Sequence, residues 1–178
     1  DSEDTAMKIL IVRPWPSVLD VTKNTYNIQE VGLAKALVKR GHPTDILFWT
    51  DGDEMTVKVE VEGAKPINVF YRHGKVLLKN VWFGGQEKLF AQYDVLQTAE
   101  YNQMFSWHLA GKYPEKTVVY HGPYYSPFNK NYNRMCRVFD ALFVGRYRRC
   151  GTRFLTKSEL ARKFLLEKRL SPEQVTTV

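Results

Sequence analysis

The chain has only two cysteines, Cys136 and Cys150, and neither stands in a paired CxxC spacing. A disulfide scaffold is therefore not expected in a chain of 178 residues; two reduced, buried or half-buried thiols of a cytoplasmic protein are. The four histidines, at 42, 73, 108 and 121, are too scattered to predict a metal site. Long apolar runs are missing too. None approaches the roughly 18–20 residues that a membrane-spanning helix needs, so a soluble chain is expected. The loop after the first strand holds no glycine, so the Gly-x-Gly-x-x-Gly turn that brings pyrophosphate against a dinucleotide fold is absent. There is no P-loop and no Gly-x-Ser-x-Gly elbow, which removes the usual phosphoryl-transfer and serine-hydrolase machinery. Asp1 to Ala6 lack the basic start and apolar stretch of a signal peptide. Residues 1–6 read as an extraneous polar leader and 7–178 as one domain.

What is present begins with charge. Between Lys130 and Arg169 there are twelve Lys/Arg against three acids, while the rest carries fourteen against sixteen. The whole surplus of the +7 chain lies in its last third. Such a patch suits phosphates or an anionic lipid surface, or simply solvates a helix face. Nucleic acid would need aromatics interleaved with the basic residues, and Tyr132 and Tyr147 do not suffice.

Apolar periodicity supplies the fold. Lys8 to Arg13, "KILIVR", is apolar on both faces, as a central parallel strand must be. Leu33, Ala34, Leu37 and Val38 then share one face of a helix. Gly41 stands where a left-handed C-cap belongs, Pro43 forbids continuation, and "DILFWT" forms the second strand. His42 caps this βαβ junction. "MTVKVEVEG" alternates like a strand with one wet face, and "INVFYRHGKVLL" predicts a hairpin turning at His73-Gly74, an antiparallel elaboration around 56–80. Afterwards "EKLFAQY" predicts a helix, "DVLQTA" a strand, "NQMFSWHLAGKY" a helix, "TVVYHG" a strand and "KNYNRMCRVF" a helix. "DALFVG" and "TRFLT" predict strands, and Ser158 caps a last helix burying Leu160, Phe164 and Leu165. The alternation argues a doubly wound, mostly parallel α/β sheet, Rossmann-like.

In such a sheet ligands bind at the carboxyl ends of the strands. The polar residues there are Thr22, Lys23, Asn24, Thr25, Thr98, Glu100, His121 and Tyr124. "DGD" at Asp51 to Asp53 has the form of a metal-holding acidic pair but reads as a Gly-bearing turn. Glu159 and Glu167 read as solvated partners of Arg162, Lys163 and Lys168 on a helix surface.

Three stretches carry a resemblance: "EVGLAKALVKRGHPTDILF", "TVVYHG" and "TRFLTKSELARKFLLEKRLSPEQVTTV". In this order the chain resembles the N-terminal domain of retaining glycosyltransferases of family 4, which have the GT-B fold. "EVGLAKALVKRGHPTDILF" is similar to that domain's opening helix, its Gly-His turn and the strand that follows. "TVVYHG" is similar to the strand ending in His-Gly on the wall of its cleft. The last stretch is similar to its closing segment, with the linker to a further domain beginning at Val178. There are departures. Asn24 and Thr25 stand where the family usually has a glycine pair, and Gln97 and Ala99 where members often carry His-x-His.

The resemblance implies the acceptor-binding half of an enzyme that moves a sugar from a nucleotide-sugar donor to a saccharide or lipid-linked acceptor. Donor binding belongs to the C-terminal domain, which this chain does not contain, so the chain alone is expected to be inactive. No metal or other cofactor is implied, since the departing phosphate itself can take the acceptor's proton. His121 is then the residue at the reaction centre, with Asn24, Thr25, Glu100 and Gly122 on the acceptor side. Polysaccharide biosynthesis in the cytoplasm, with peripheral attachment to an anionic membrane, completes the expectation. The rival is a stand-alone α/β module binding a nucleotide or phosphorylated partner without catalysis.

Overall fold

A computed structural model of the chain describes residues 5–23 and 25–178. They fall into two compact units, one reaching to Gln97 and one spanning Thr98–Val178.

The first unit is built on β1 (Ile9–Val12), all four residues of which are buried. The helix α1 (Gln29–Lys39) follows, turning Val31, Ala34 and Val38 inward. It ends as its sequence predicts. Gly41 takes φ +90°, its N–H bonds to Val38, and the N–H of His42 bonds to Leu37, a Schellman closure that satisfies the last carbonyls. The imidazole of His42 then accepts from Met7 N at 3.2 Å, so His42 is structural. After β2 (Thr44–Trp49) the chain adds β3 (Met55–Val59) and β4 (Ile67–Arg72). β1 and β2, and β2 and β4, run parallel, while β3 pairs antiparallel with β4.

The short strands β5 (Lys75–Leu77) and β6 (Asn80–Trp82) form a separate antiparallel hairpin. Its turn is not at His73-Gly74. It lies at Leu78 and Lys79, with φ of +48° and +62°. Consecutive left-handed residues make the primed turn that suits strand twist, yet neither Leu nor Lys announces one. Gly74 is needed for a different reason: a Cβ there would stand 2.6 Å from Val81 Cγ1 and 3.0 Å from the Trp82 carbonyl. The one-turn helix α2 (Glu87–Phe90) leads into β7 (Val95–Ala99), parallel to β1. The core of this unit gathers Ile9, Ile11, Val31, Ala34, Ile46, Phe48, Ile67 and Val69.

The second unit opens with α3 (Met104–Lys112) and β8 (Thr117–His121). Two helices follow, α4 (Lys130–Leu142) and α5 (Gly145–Cys150). The predicted strand "DALFVG" instead ends α4, turns at Phe143 and Val144 and opens α5. Asn129 caps the run by accepting from Tyr132 N, and Cys136 and Phe139 are buried at a spacing of three, a helical signal that continues to Val144 and Tyr147. Gly151 at φ +60° stops it. β9 (Arg153–Thr156) pairs parallel with β8, and β10 (Val175–Thr177) pairs parallel with β9. Between them Ser158 caps α6 (Glu159–Leu166) by accepting from Ala161 N at 3.1 Å. α6 buries Ala161, Phe164 and Leu165, whereas Leu160 is exposed.

The fold class is as expected: α/β, mixed and mostly parallel, with eight sheet strands and a separate two-stranded hairpin. Among the described residues no helix is long and apolar enough to cross a membrane.

Candidate functional site

The carboxyl ends of β7 and β8 bring two of the expected residues together. His121 is the last residue of β8 and its side chain is fully buried. Its carbonyl accepts from Lys157 N at 3.1 Å, which holds the end of β8 against the residue after β9. Glu100 follows β7, and its N–H donates to Tyr120 O at 2.8 Å. It adopts φ +65°, a left-handed conformation that costs a non-glycine residue on the order of 1 kcal/mol. That bend sets its carboxylate Oε2 3.0 Å from His121 Nδ1.

The rest of the imidazole is enclosed by rings. Phe164 of α6 stacks on it at 5.4 Å, and Tyr101 meets it edge-on at 5.1 Å. Tyr101 N also points at Nδ1, at 3.4 Å. One Nδ1 cannot donate and accept together. Nδ1 accepts from Tyr101 N, and Glu100 Oε2, although 3.0 Å away, is a buried oxygen without a hydrogen bond. Nε2 is buried and makes no hydrogen bond within the protein.

Behind these rings lies a charged pair that the sequence did not disclose. Lys168 Nζ bonds Asp140 Oδ2 at 2.5 Å, with the lysine side chain 3% exposed. The ammonium also lies 4.0 Å from the Phe164 centroid, 4.8 Å from Tyr125 and 5.0 Å from Tyr101. Tyr101 Oη donates to Asp140 Oδ1 at 3.0 Å. Lys168 is thus no surface partner of Glu159 or Glu167, both of which are exposed. Burial pushes the Tyr101 hydroxyl far above its ordinary range, with the nearby Cys136 and Asp140 adding to the effect. Burial likewise raises the Tyr132 hydroxyl and the Cys136 thiol. These groups stay protonated.

Gly122, next after His121, has no internal reason to be glycine. A Cβ there would only touch Lys157 Cδ at an ordinary 3.7 Å, and its φ is not positive. Thr98 and Tyr124, also at strand ends, do other things: Thr98 bonds Ser106 at 2.8 Å in the interior, and Tyr124 is exposed.

In the first unit, Thr25 lines a cavity of about 500 Å³ with Lys23, Tyr26, Val31, Gly32 and Lys35. Lys35 Nζ donates to Thr25 Oγ1 at 3.5 Å, and Thr25 O accepts from Ile28 N at the start of α1. Asn24 lies outside the described residues. Thr22 and Lys23 both bond Asp20, which lowers that carboxyl's pKa, the Thr22 bonds contributing most. The "DGD" stretch is a turn: Gly52 N bonds Thr50 Oγ1 and Gly52 O meets His73 Nε2 at 2.5 Å. Among the described residues no three His, Cys, Asp or Glu side chains converge as metal ligands.

Residues 31–178 match the model of one protein family, Glycosyltransferase Family 4. The chain belongs to glycosyltransferase family 4. The matched span covers most of the chain and includes Glu100, His121 and Gly122, while Asn24 and Thr25 precede it. No curated protein matches this family 4 chain. With the mostly parallel α/β sheet already described, the match makes it an N-terminal GT-B domain of the family 4 type.

Proposed function

We propose that this family 4 domain, residues 7–178, is the acceptor-side half of a retaining glycosyltransferase. It holds a saccharide or lipid-linked acceptor, and a separate C-terminal domain presents the nucleotide-sugar donor. The observation that carries this reading is the Glu100–His121 pair at two strand ends, 3.0 Å apart, with an imidazole nitrogen left over. The unpartnered Nε2 is the atom we assign to a sugar hydroxyl, which reaches it only if the enclosing rings of Tyr101 and Phe164 give way. Gly122 leaves room for that sugar beside the strand. Glu100 then acts through His121 and is a positioning residue; its strained backbone supports a role beyond packing. On the first unit, Asn24 and Thr25 are proposed as acceptor-side residues in their own right, Thr25 lining its lysine-bearing cavity.

In this mechanism the acceptor hydroxyl attacks from the side of the departing phosphate, which takes its proton, so neither a metal nor a protein base is required. The setting is cytoplasmic polysaccharide biosynthesis, with the acceptor presented at an anionic membrane surface. Charge developing on the phosphate would be stabilised by the donor domain. The isolated chain then binds acceptor but turns nothing over. Saturation-transfer NMR of the chain with candidate acceptor saccharides tests this. Binding that His121→Ala abolishes supports the reading, and sugar transfer by the chain alone from any nucleotide sugar refutes it.

A further inference from the structure

α4 turns two faces outward where one is expected. Its inner face is set by Cys136 and Phe139, both buried. Outside that face Met135, Val138 and Leu142 are 59%, 55% and 69% exposed. At 100° per residue these three positions fall within about 60° of arc. The next 60° or so of arc holds Arg134, Lys130 and Arg137, all exposed. Among the described residues none of these three cations belongs to an ion pair, and the sole acid of the helix, Asp140, is taken by Lys168. Phe128, just before the helix, is 96% exposed.

A helix that merely needed solubility would not carry three large apolar side chains in a row on its wet surface. A second copy of the chain is a poor occupant, because a twofold contact would bring like cations together. An apolar stripe bordered on one side by long cationic side chains has the composition of an interfacial helix, with aliphatic groups below the headgroups and cations snorkelling to the phosphates.

We propose that the outer face of α4 is a docking surface for anionic lipid, in which Met135, Val138 and Leu142 enter the interface and Lys130, Arg134 and Arg137 engage headgroup phosphates. This deepens the membrane-presented acceptor of the reading above, on which its biological purpose rests, but its evidence is independent of sugar transfer. Docking through the domain that holds the acceptor would keep that acceptor's carrier lipid within reach.

Sedimentation of the purified chain with phosphatidylcholine vesicles, alone or mixed with equimolar phosphatidylglycerol, tests it. Binding is expected only to the anionic vesicles and should weaken with salt. Arg134→Gln/Arg137→Gln should lower the partition coefficient about 25-fold, at about fivefold per cation. Met135→Ser/Leu142→Ser should also weaken it, whereas Lys58→Gln/Lys65→Gln, an equal loss of exposed charge elsewhere, should not. Circular dichroism checks that each variant is folded. Failure to bind anionic vesicles overturns the proposal, as does binding indifferent to the α4 changes. A concentration-dependent dimer abolished by Met135→Ser/Leu142→Ser assigns the face to self-association and overturns it as well. None of these readouts depends on turnover, so acceptor binding by His121 stands or falls separately.

Discussion

Lys168 Nζ sits 2.5 Å from Asp140 Oδ2 and 4.0 Å from the ring of Phe164, the same ring that stacks on His121. A charge pair thus supports the wall of the candidate site from behind. With side chains only 3% and 23% exposed, neither charge can be left alone cheaply. Lys168→Met or Asp140→Leu alone should cost about 3–5 kcal/mol. The double variant should recover most of that loss, since an apolar pair of similar volume replaces two desolvated ions. Urea unfolding of the three variants measures it; single losses that simply add would show that the two charges act separately.

Two glycines separate packing from function. Gly74→Ala places a methyl 2.6 Å from Val81 Cγ1 and 3.0 Å from backbone, so it should destabilise by about 1–3 kcal/mol. Gly122→Ala meets nothing closer than 3.7 Å and should leave stability within about 0.5 kcal/mol. If the space beside His121 receives a sugar, the same methyl should weaken acceptor binding several-fold. Equal stability with equal binding would remove Gly122 from the site.

The hairpin turn offers a gain rather than a loss. Leu78 and Lys79 both sit at positive φ, where asparagine and glycine are at ease. Leu78→Asn/Lys79→Gly should therefore raise unfolding stability by about 1 kcal/mol. Glu100, at φ +65°, gives the contrasting case. Glu100→Gly should relieve a similar strain while removing the carboxylate beside His121 Nδ1. Its expected signature is a chain at least as stable that binds acceptor less well. A variant that loses both would mark Glu100 as a purely structural residue.

These examples show what the sequence could and could not disclose. α1, the Gly41-His42 closure and β2 were legible because a C-cap glycine and a proline act locally, through backbone geometry alone. So was the position of His121 and Glu100 at the ends of their strands, since the apolar runs that precede them mark where each strand stops. The Leu78-Lys79 turn was not, because the conformation is imposed by the flanking strands on residues that do not prefer it. The segment from Asp140 to Gly145 is as apolar as a strand, and a short run of that kind does not distinguish strand from helix. Lys168 and Asp140 stand far apart in sequence, and each resembles its solvated neighbours. Only the tertiary fold shows that one of many lysines is buried.

Alkaline pH should expose the same interior. Burial, before any other cause, raises the hydroxyls of Tyr101, Tyr132 and Tyr147 above the ordinary 10.0. The folded chain keeps those protons when the unfolded chain has begun to lose them, so unfolding releases protons. Stability is then complete below pH 10.0 and falls above it, by about 1.4 kcal/mol per pH unit for each such tyrosine. Tyr132→Phe is the informative variant, because its hydroxyl is buried and its partner is the Cys136 thiol, a weak hydrogen-bonding group. It should leave neutral-pH stability nearly unchanged yet flatten the alkaline slope by one proton. Urea midpoints at neutral pH and at several values above pH 10.0 give both numbers. In parallel, phenolate absorbance from the interior tyrosines should rise only as the fold is lost. A Tyr132→Phe slope matching the parent's would mean that this hydroxyl ionises as freely in the folded chain as in the unfolded one.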